Sequence, residues 1–534
     1  MSRQTYGFLA VLAAAGALHV QAETVTKTLK ADGSGDYATL AEAVTAMNAL
    51  AEGDVGVIVL EPGTYSHTAT LDVTGPVTIR SSTGNPDDVF VWVNRGSLKF
   101  PVFKLENSDV LLYGLTVSNG YSTAKKQGGG VYMTAAATVD HCKLVKNTGY
   151  TAAANLANGV IRDSEVSRNL GISTGMNAGL YVEGASALVE NCRLINNIGD
   201  YGNGGLAVNI ASGTVKNSVI SNNFNTTGAY GRGAGGIATS GACLIENCLI
   251  ANNTAGYSSG YETHGNGSHA AGVHVGAAGC VIRNCTIADN TGYAHGGIRV
   301  YSDGHLRLEN SIVWGNVDTG YGKTLTGANT STVLADENVS GLSQRYATNV
   351  CTTIDFGANC MTSDPLFVDP VHGDYRLATN SPCIGVGRVR DGDADKTDVV
   401  GNPRLRGGVI DMGCFTSLGT EPSVTVPETE TDVYLVSGDD IAAAVRRCGN
   451  GSTLHLGDGE YGVTRTLVVD KGVRIISANG PEKTSLYRKG KEWSGNNCRI
   501  LIGDHADFLL SGVTVSNGYS AAATVGSAMF LRCG

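Results

Sequence analysis

The chain has 534 residues, with 73 glycines, only 6% aromatic residues, a formal net charge of −10 and no basic stripe. That length is too great for one ordinary compact core, and so few aromatic side chains leave a conventional core thin. An acidic chain without a basic face is excluded as a nucleic-acid binder.

Residues 1–22 read as a secretory signal. Arg3 gives the positive start, Phe8 to Leu18 the apolar core, and Val20-Gln21-Ala22 a small-residue cleavage site. The apolar run is too short to span a bilayer, and no later stretch is longer. The mature chain is therefore expected outside the cytoplasm, secreted or on the outer membrane or cell surface of a bacterium, with no transmembrane helix. Tyr37 to Leu50 carries an amphipathic helical pattern through Leu40, Val44, Met47 and Leu50. A helix there would cap the open end of a stacked-strand body.

The body itself is a repeat. Seven times an asparagine comes five residues after a cysteine or serine, from Cys142 and Asn147 to Ser311 and Asn316. The asparagines are Asn147, Asn169, Asn197, Asn223, Asn253, Asn290 and Asn316, spaced by 22, 28, 26, 30, 37 and 26 residues. A fixed short unit separated by variable insertions marks a solenoid, each unit being one rung. Apolar residues such as Val139 and Leu144 flank the small residue, and both can face inward only if the chain bends between them. The bend falls on His141, Asp163, Asn191, Asn217, Asn247, Asn284 and Asn310, and Asn and Asp tolerate left-handed backbone there.

Glycine followed by an apolar residue precedes most units, as in Gly130-Val131 and Gly272-Val273. Each rung is thus expected to hold three short strands. The asparagines would stack into an amide ladder and hold corners rather than catalyse. The expected fold is all-β, a right-handed parallel β-helix over residues 23–316. A sandwich or propeller fits the rung lengths less well.

From 317 to 416 the repeat dissolves into an irregular stretch read as a terminal cap, and 417–432 reads as a linker. Then the beginning recurs. Gly63-Thr64-Tyr65 returns as Gly459-Glu460-Tyr461, and Val117-Ser118-Asn119-Gly120-Tyr121-Ser122 as Val515-Ser516-Asn517-Gly518-Tyr519-Ser520. Residues 433–534 are expected to be the start of a second, truncated β-helix.

The thirteen cysteines are an odd number. Cys142, Cys192, Cys248 and Cys285 share a column with serines, so they read as small buried fillers. Cys351 with Cys360 and Cys383 with Cys414 are the better disulfide candidates.

The alternation of Gly-Gly-apolar and apolar-x-x-Asn segments over 128–316 resembles the repeats of polymorphic outer membrane proteins, with Leu, Ile or Val where those repeats usually carry Phe. Asp32-Gly33-Ser34-Gly35-Asp36-Tyr37 through Val44, with Gly63-x-Tyr65, is similar to the opening of pectin methylesterases. That opening is a structural part; no later segment matches that family's catalytic motifs. The likeness to pectate lyases is at the level of fold only.

Five of the 11 histidines, His264, His269, His274, His295 and His305, crowd one region. His274 and Arg299 occupy equivalent outward positions, two after a rung glycine, with Tyr301 two further along. They are the catalytic candidates, a base and a carboxylate-neutralising partner. His264, His269 and His295, with the outward aromatics Tyr132 and Tyr181, are the binding candidates. The simpler reading of the histidines, a solvated polar face, is preferred.

Asp391-Gly392-Asp393-Ala394-Asp395 has calcium-loop spacing, but Lys396 and Asn402 stand where an EF-hand needs Gly and Glu. No metal or cofactor is assigned, and a loose calcium site is the alternative. The expected function is an exported, adhesin-like or polysaccharide-binding monomer that meets a polysaccharide or a host or cell-surface ligand. The alternative is a polysaccharide lyase or glycoside hydrolase acting on an acidic polysaccharide.

Overall fold

The computed structural model describes residues 23–531 except 95, 97–98, 123, 125, 173–176, 200–205, 226–233, 256–269, 277, 293–295, 301–304, 319–332, 336–346, 353–358, 424–429, 464–466, 470–471, 489–499, 504–506 and 519–528. The signal reading of residues 1–22 lies outside the described residues.

The backbone coils, and every turn lays its strands parallel to those of the turn before. One rung shows the pattern. Strand Val131–Met133 is followed by Thr138–Asp140, Lys143–Val145 and Thr148–Gly149. Each pairs in parallel with its counterpart one rung on, namely Ala154–Ala157, Val160–Arg162, Glu165–Ser167 and Leu170–Gly171. A rung therefore carries four strands where three were expected. The extra one is the two-residue Thr148–Gly149 type, too short to leave an alternating pattern.

Two left-handed corners separate the strands. The first is the expected one, with φ of 51° at His141, 49° at Asp163 and 53° at Asn191. The second falls just before each file asparagine, with φ of 55° at Lys146, 55° at Arg168 and 57° at Asn196. Lys and Arg are uncommon in that conformation, so the second corner leaves little trace in sequence.

The asparagines form one buried file. Asn147, Asn169, Asn197, Asn223, Asn253, Asn290 and Asn316 are at most 1% exposed. The Asn197 side-chain nitrogen donates to Asn223 Oδ1 at 3.0 Å and to the Val166 carbonyl at 2.9 Å. The Asn197 backbone N–H donates to the same Asn223 oxygen at 3.0 Å. The pattern repeats from Asn147 to Asn316. The polar groups of this corner are thus satisfied without water. A second file runs beside it, in which Ser164 Oγ accepts from Cys142 N–H and Ser218 Oγ from Cys192 N–H.

The interior of the first coil is an apolar cluster reaching from Leu29 to Val350. Its base is closed by a helix, Leu40–Asn48, capped by the Thr39 side chain and burying Leu40, Ala43, Val44 and Met47. Burial pushes the thiols of Cys142 and Cys192 up to about 12, so they are inert fillers at neutral pH. Cys351, Cys383 and Cys414 carry no disulfide, so neither expected bridge is formed. The Cys351 thiol instead faces Cys383.

Met361 pairs onto the last strand of the coil, Ala347–Thr352. The chain then returns along the flank. Phe367, Tyr375, Leu377, Met412 and Phe415 pack on Leu249, Ala251, Ala288 and Ile312, which face outward from the coil. The positions equivalent to Leu249 and Ile312 in earlier rungs are the charged Lys143, Glu165 and Arg193, followed by Val219. The flank turns apolar where this segment covers it.

Residues 430–516 repeat the opening of the chain, element for element. Strand Glu430–Leu435, helix Ile441–Arg447 and strands Cys448–Leu456, Gly459–Val463 and Leu467–Val469 match the order from Thr24 to Val73. Tyr65 OH donates to the carbonyls of Leu29 and Glu61, and Tyr461 OH to those of Leu435 and Gly457. Gly63 and Gly459 have φ of 153° and 131°, and a Cβ at either would lie 2.4 Å from a neighbouring Cβ. The duplicated glycine is required by that close approach.

Candidate functional site

The strands of the Val131–Met133 type form a ten-stranded parallel sheet. Their end residues, such as Val131, Met133, Val273 and Val275, enter the core. Their middle residues face out and stack in register, one per rung. The order is Asp72, Lys104, Tyr132, Asn155, Tyr181, Asn209, Ala238, His274 and Arg299. Four of the residues singled out from sequence, Tyr132, Tyr181, His274 and Arg299, thus stand in one file.

The file has two halves. From Asp72 to Asn209 it is open: Lys104, Tyr132, Tyr181 and Asn209 are half-buried, and Asp72 is exposed. From Ala238 onward it is covered, with Ala238, His274 and Arg299 only 6%, 6% and 3% exposed. His274 and Arg299 are direct register partners, as their spacing implied. Both are buried, which sequence did not reveal because exposure depends on what lies above the sheet. His264, His269, His295 and Tyr301 lie outside the described residues.

In the open half the cations are matched by carboxylates. Lys104 is paired with Glu106, and this bond holds the ammonium pKa above the ordinary lysine value. Lys126 reaches Glu183 at 2.6 Å and stands over the Tyr181 ring, 5.3 Å from its centroid. The Glu183 hydrogen bond, with a smaller part from Tyr181, raises its pKa as well. Asn155 is recessed: its amide accepts from Met133 N–H and donates to the Met133 carbonyl, both at 3.0 Å. Asn209 Oδ1 has no hydrogen-bond partner. Two open depressions of about 400 and 410 Å³, near Asp32 and near Arg406, lie away from this file.

Sequence reading missed a second outer file. Asp140, Arg162, Glu190, Lys216, Glu246, Arg283 and Glu309 stack in register and alternate in sign. Arg162 meets Asp140 at 2.7 Å, Lys216 meets Glu190 at 2.8 Å and Arg283 meets Glu246 at 2.7 Å. The returning segment adds Lys396 to Glu246 at 2.8 Å and Arg390 to Glu309.

The Asp391–Asp395 stretch does not gather ligands. Asp393 turns inward to Arg390 N–H and Lys396, while Asp391 and Asp395 are exposed. The three-residue group Asp140, His141 and Asp163 has ligand atoms within 4.8 Å of one another. Asp140 is already engaged by Arg162 and by His141 Nδ1, so its charge is spent within the protein.

Residues 157–340 match the family model of the right-handed β-helix region. The chain folds as a right-handed parallel β-helix. The β-helix is similar to the solved structure of pectate lyase Pel9A, at 15% identity over 74% of this chain and 96% of that one, with a TM-score of 0.47. It is also similar to an alginate lyase of family PL6, AlyGC, at 15% identity over 95% of this chain and 74% of that one, TM-score 0.30. A third likeness is to the pectin methylesterase of Aspergillus niger, at 15% identity over 59% and 90%, TM-score 0.31. No curated protein matches the sequence. Among the described residues, no helix is long and apolar enough to cross a membrane.

Proposed function

We propose that this β-helix is an exported, non-catalytic protein that binds a polysaccharide along the open half of its outer file. The observation that carries this is the register of Lys104, Tyr132, Asn155, Tyr181 and Asn209 on one outward face. Tyrosines supply flat apolar surface with a polar tip, which suits sugar rings. A straight file of repeating polar positions suits an extended ligand better than a small one. The covered state of His274 and Arg299 weighs against the lyase alternative, since a base must reach the proton it removes. The leader-like residues 1–22 support export.

The test is calorimetric titration of the full chain with soluble polysaccharides, followed by analysis of the polymer. Binding with unchanged polymer length is expected, together with loss of binding in Tyr132→Ala/Tyr181→Ala. New double bonds or new reducing ends, lost on His274→Ala, would establish the enzyme instead.

A further inference from the structure

The open file has a period of two rungs. Tyr132 and Tyr181 are separated by one rung, and that rung carries Asn155, which is only 4% exposed and spends its amide on Met133. Parallel rungs rise by about 4.8 Å, so the two rings stand about 9.6 Å apart along the coil. One rung is close to the length of one sugar in an extended β-1,4-linked chain, and two rungs to a disaccharide. In a flat ribbon of that linkage each sugar is flipped relative to the last, so alternate sugars offer the same face to one side.

Charge narrows the class. Lys104 and Lys126 both carry their own carboxylates, Glu106 and Glu183, and Asp72 adds a further negative group at the end of the file. A polyuronate would meet a net negative surface there. We propose that the file recognises an uncharged β-1,4-linked ribbon lying along the coil axis, with alternate sugars stacked on Tyr132 and Tyr181. Lys126 covers one side of Tyr181, but its ion pair with Glu183 is 55% and 41% exposed and contributes little, so a sugar displaces it. This inference rests on the binding reading above.

The experiment is calorimetry of the full chain with β-1,4-linked gluco-oligosaccharides of two, three and four units. Maltohexaose and oligogalacturonate serve as the helical and charged references. Three units is the shortest ligand that reaches both rings. The trimer is expected to bind roughly tenfold tighter than the dimer. Tyr181→Ala should erase that step, Tyr181→Phe should keep it, and Lys126→Met should leave it intact or tighten binding. An equal gain per added sugar, or tighter binding of oligogalacturonate, overturns the inference while leaving polysaccharide binding in place. Failure of every glycan to bind overturns both.

Discussion

Two outward files of the same coil share one rise per rung and spend their polar groups in opposite ways. The file from Asp140 to Glu309 alternates in sign and satisfies itself, each carboxylate meeting a cation on the next rung or on the returning segment. The file from Lys104 to Asn209 alternates aromatic and amide from Tyr132 onward, keeps its cations paired locally, and leaves its rings half-open. The first pattern penalises a register slip, because moving one rung would set like charges side by side. The second has no such ladder: its rings meet no partner of their own file, and Tyr181 is touched only from the side by the exposed Lys126.

Four changes test that contrast, and the largest touches the interior that both files share. Asn223→Leu strips an acceptor from two Asn197 N–H groups and a donor from the Leu194 carbonyl, so a loss of about 4 kcal/mol is expected by chemical denaturation. The self-satisfied file comes next. Glu246→Gln leaves Arg283 and Lys396 facing a neutral group and should cost about 3 kcal/mol, whereas Glu190→Gln at the open end of that file should cost under about 1 kcal/mol. Equal costs would mean that the returning segment adds nothing to the ladder. In the other file, Tyr132→Ala/Tyr181→Ala should change stability by about 1 kcal/mol while abolishing ligand binding. A large stability loss would reassign the rings to packing.

The smallest effect concerns neither file. Burial pushes His67 below the ordinary histidine value, against its hydrogen bond to the Ala69 carbonyl. The unfolded chain then takes up a proton that the fold resists. His67 thus contributes in full above about pH 6.5, and its contribution falls as pH drops below that value toward the lowered folded pKa. Thermal midpoints of His67→Gln should flatten in mild acid relative to the unchanged chain.

The amide file was legible because one residue type recurs at one fixed offset from a small partner. The charge file sits two residues before that same partner, yet alternation of sign means that no single residue type repeats. The adjacency of His274 and Arg299 followed from rung counting alone. Their burial did not, since exposure depends on chain that is remote in sequence. The second corner stayed hidden for a related reason: at Lys146 and Arg168 the fold imposes a conformation those residues rarely choose. The covering of Leu249 and Ile312 by Phe367 and Met412 is equally invisible locally, although the loss of charge at those outward positions was its trace.

The asparagine bonds also have a direction. Each side-chain oxygen takes hydrogens from the turn before it, and from Asn147 through Asn290 each side-chain nitrogen reaches both back and forward. Neighbouring links differ by 22 to 37 residues of intervening chain, yet the joints are alike. A whole winding could be spliced in or cut out at Asn197 without a seam. Such an edit would lengthen or shorten the molecule in fixed steps, like adding marks to a ruler.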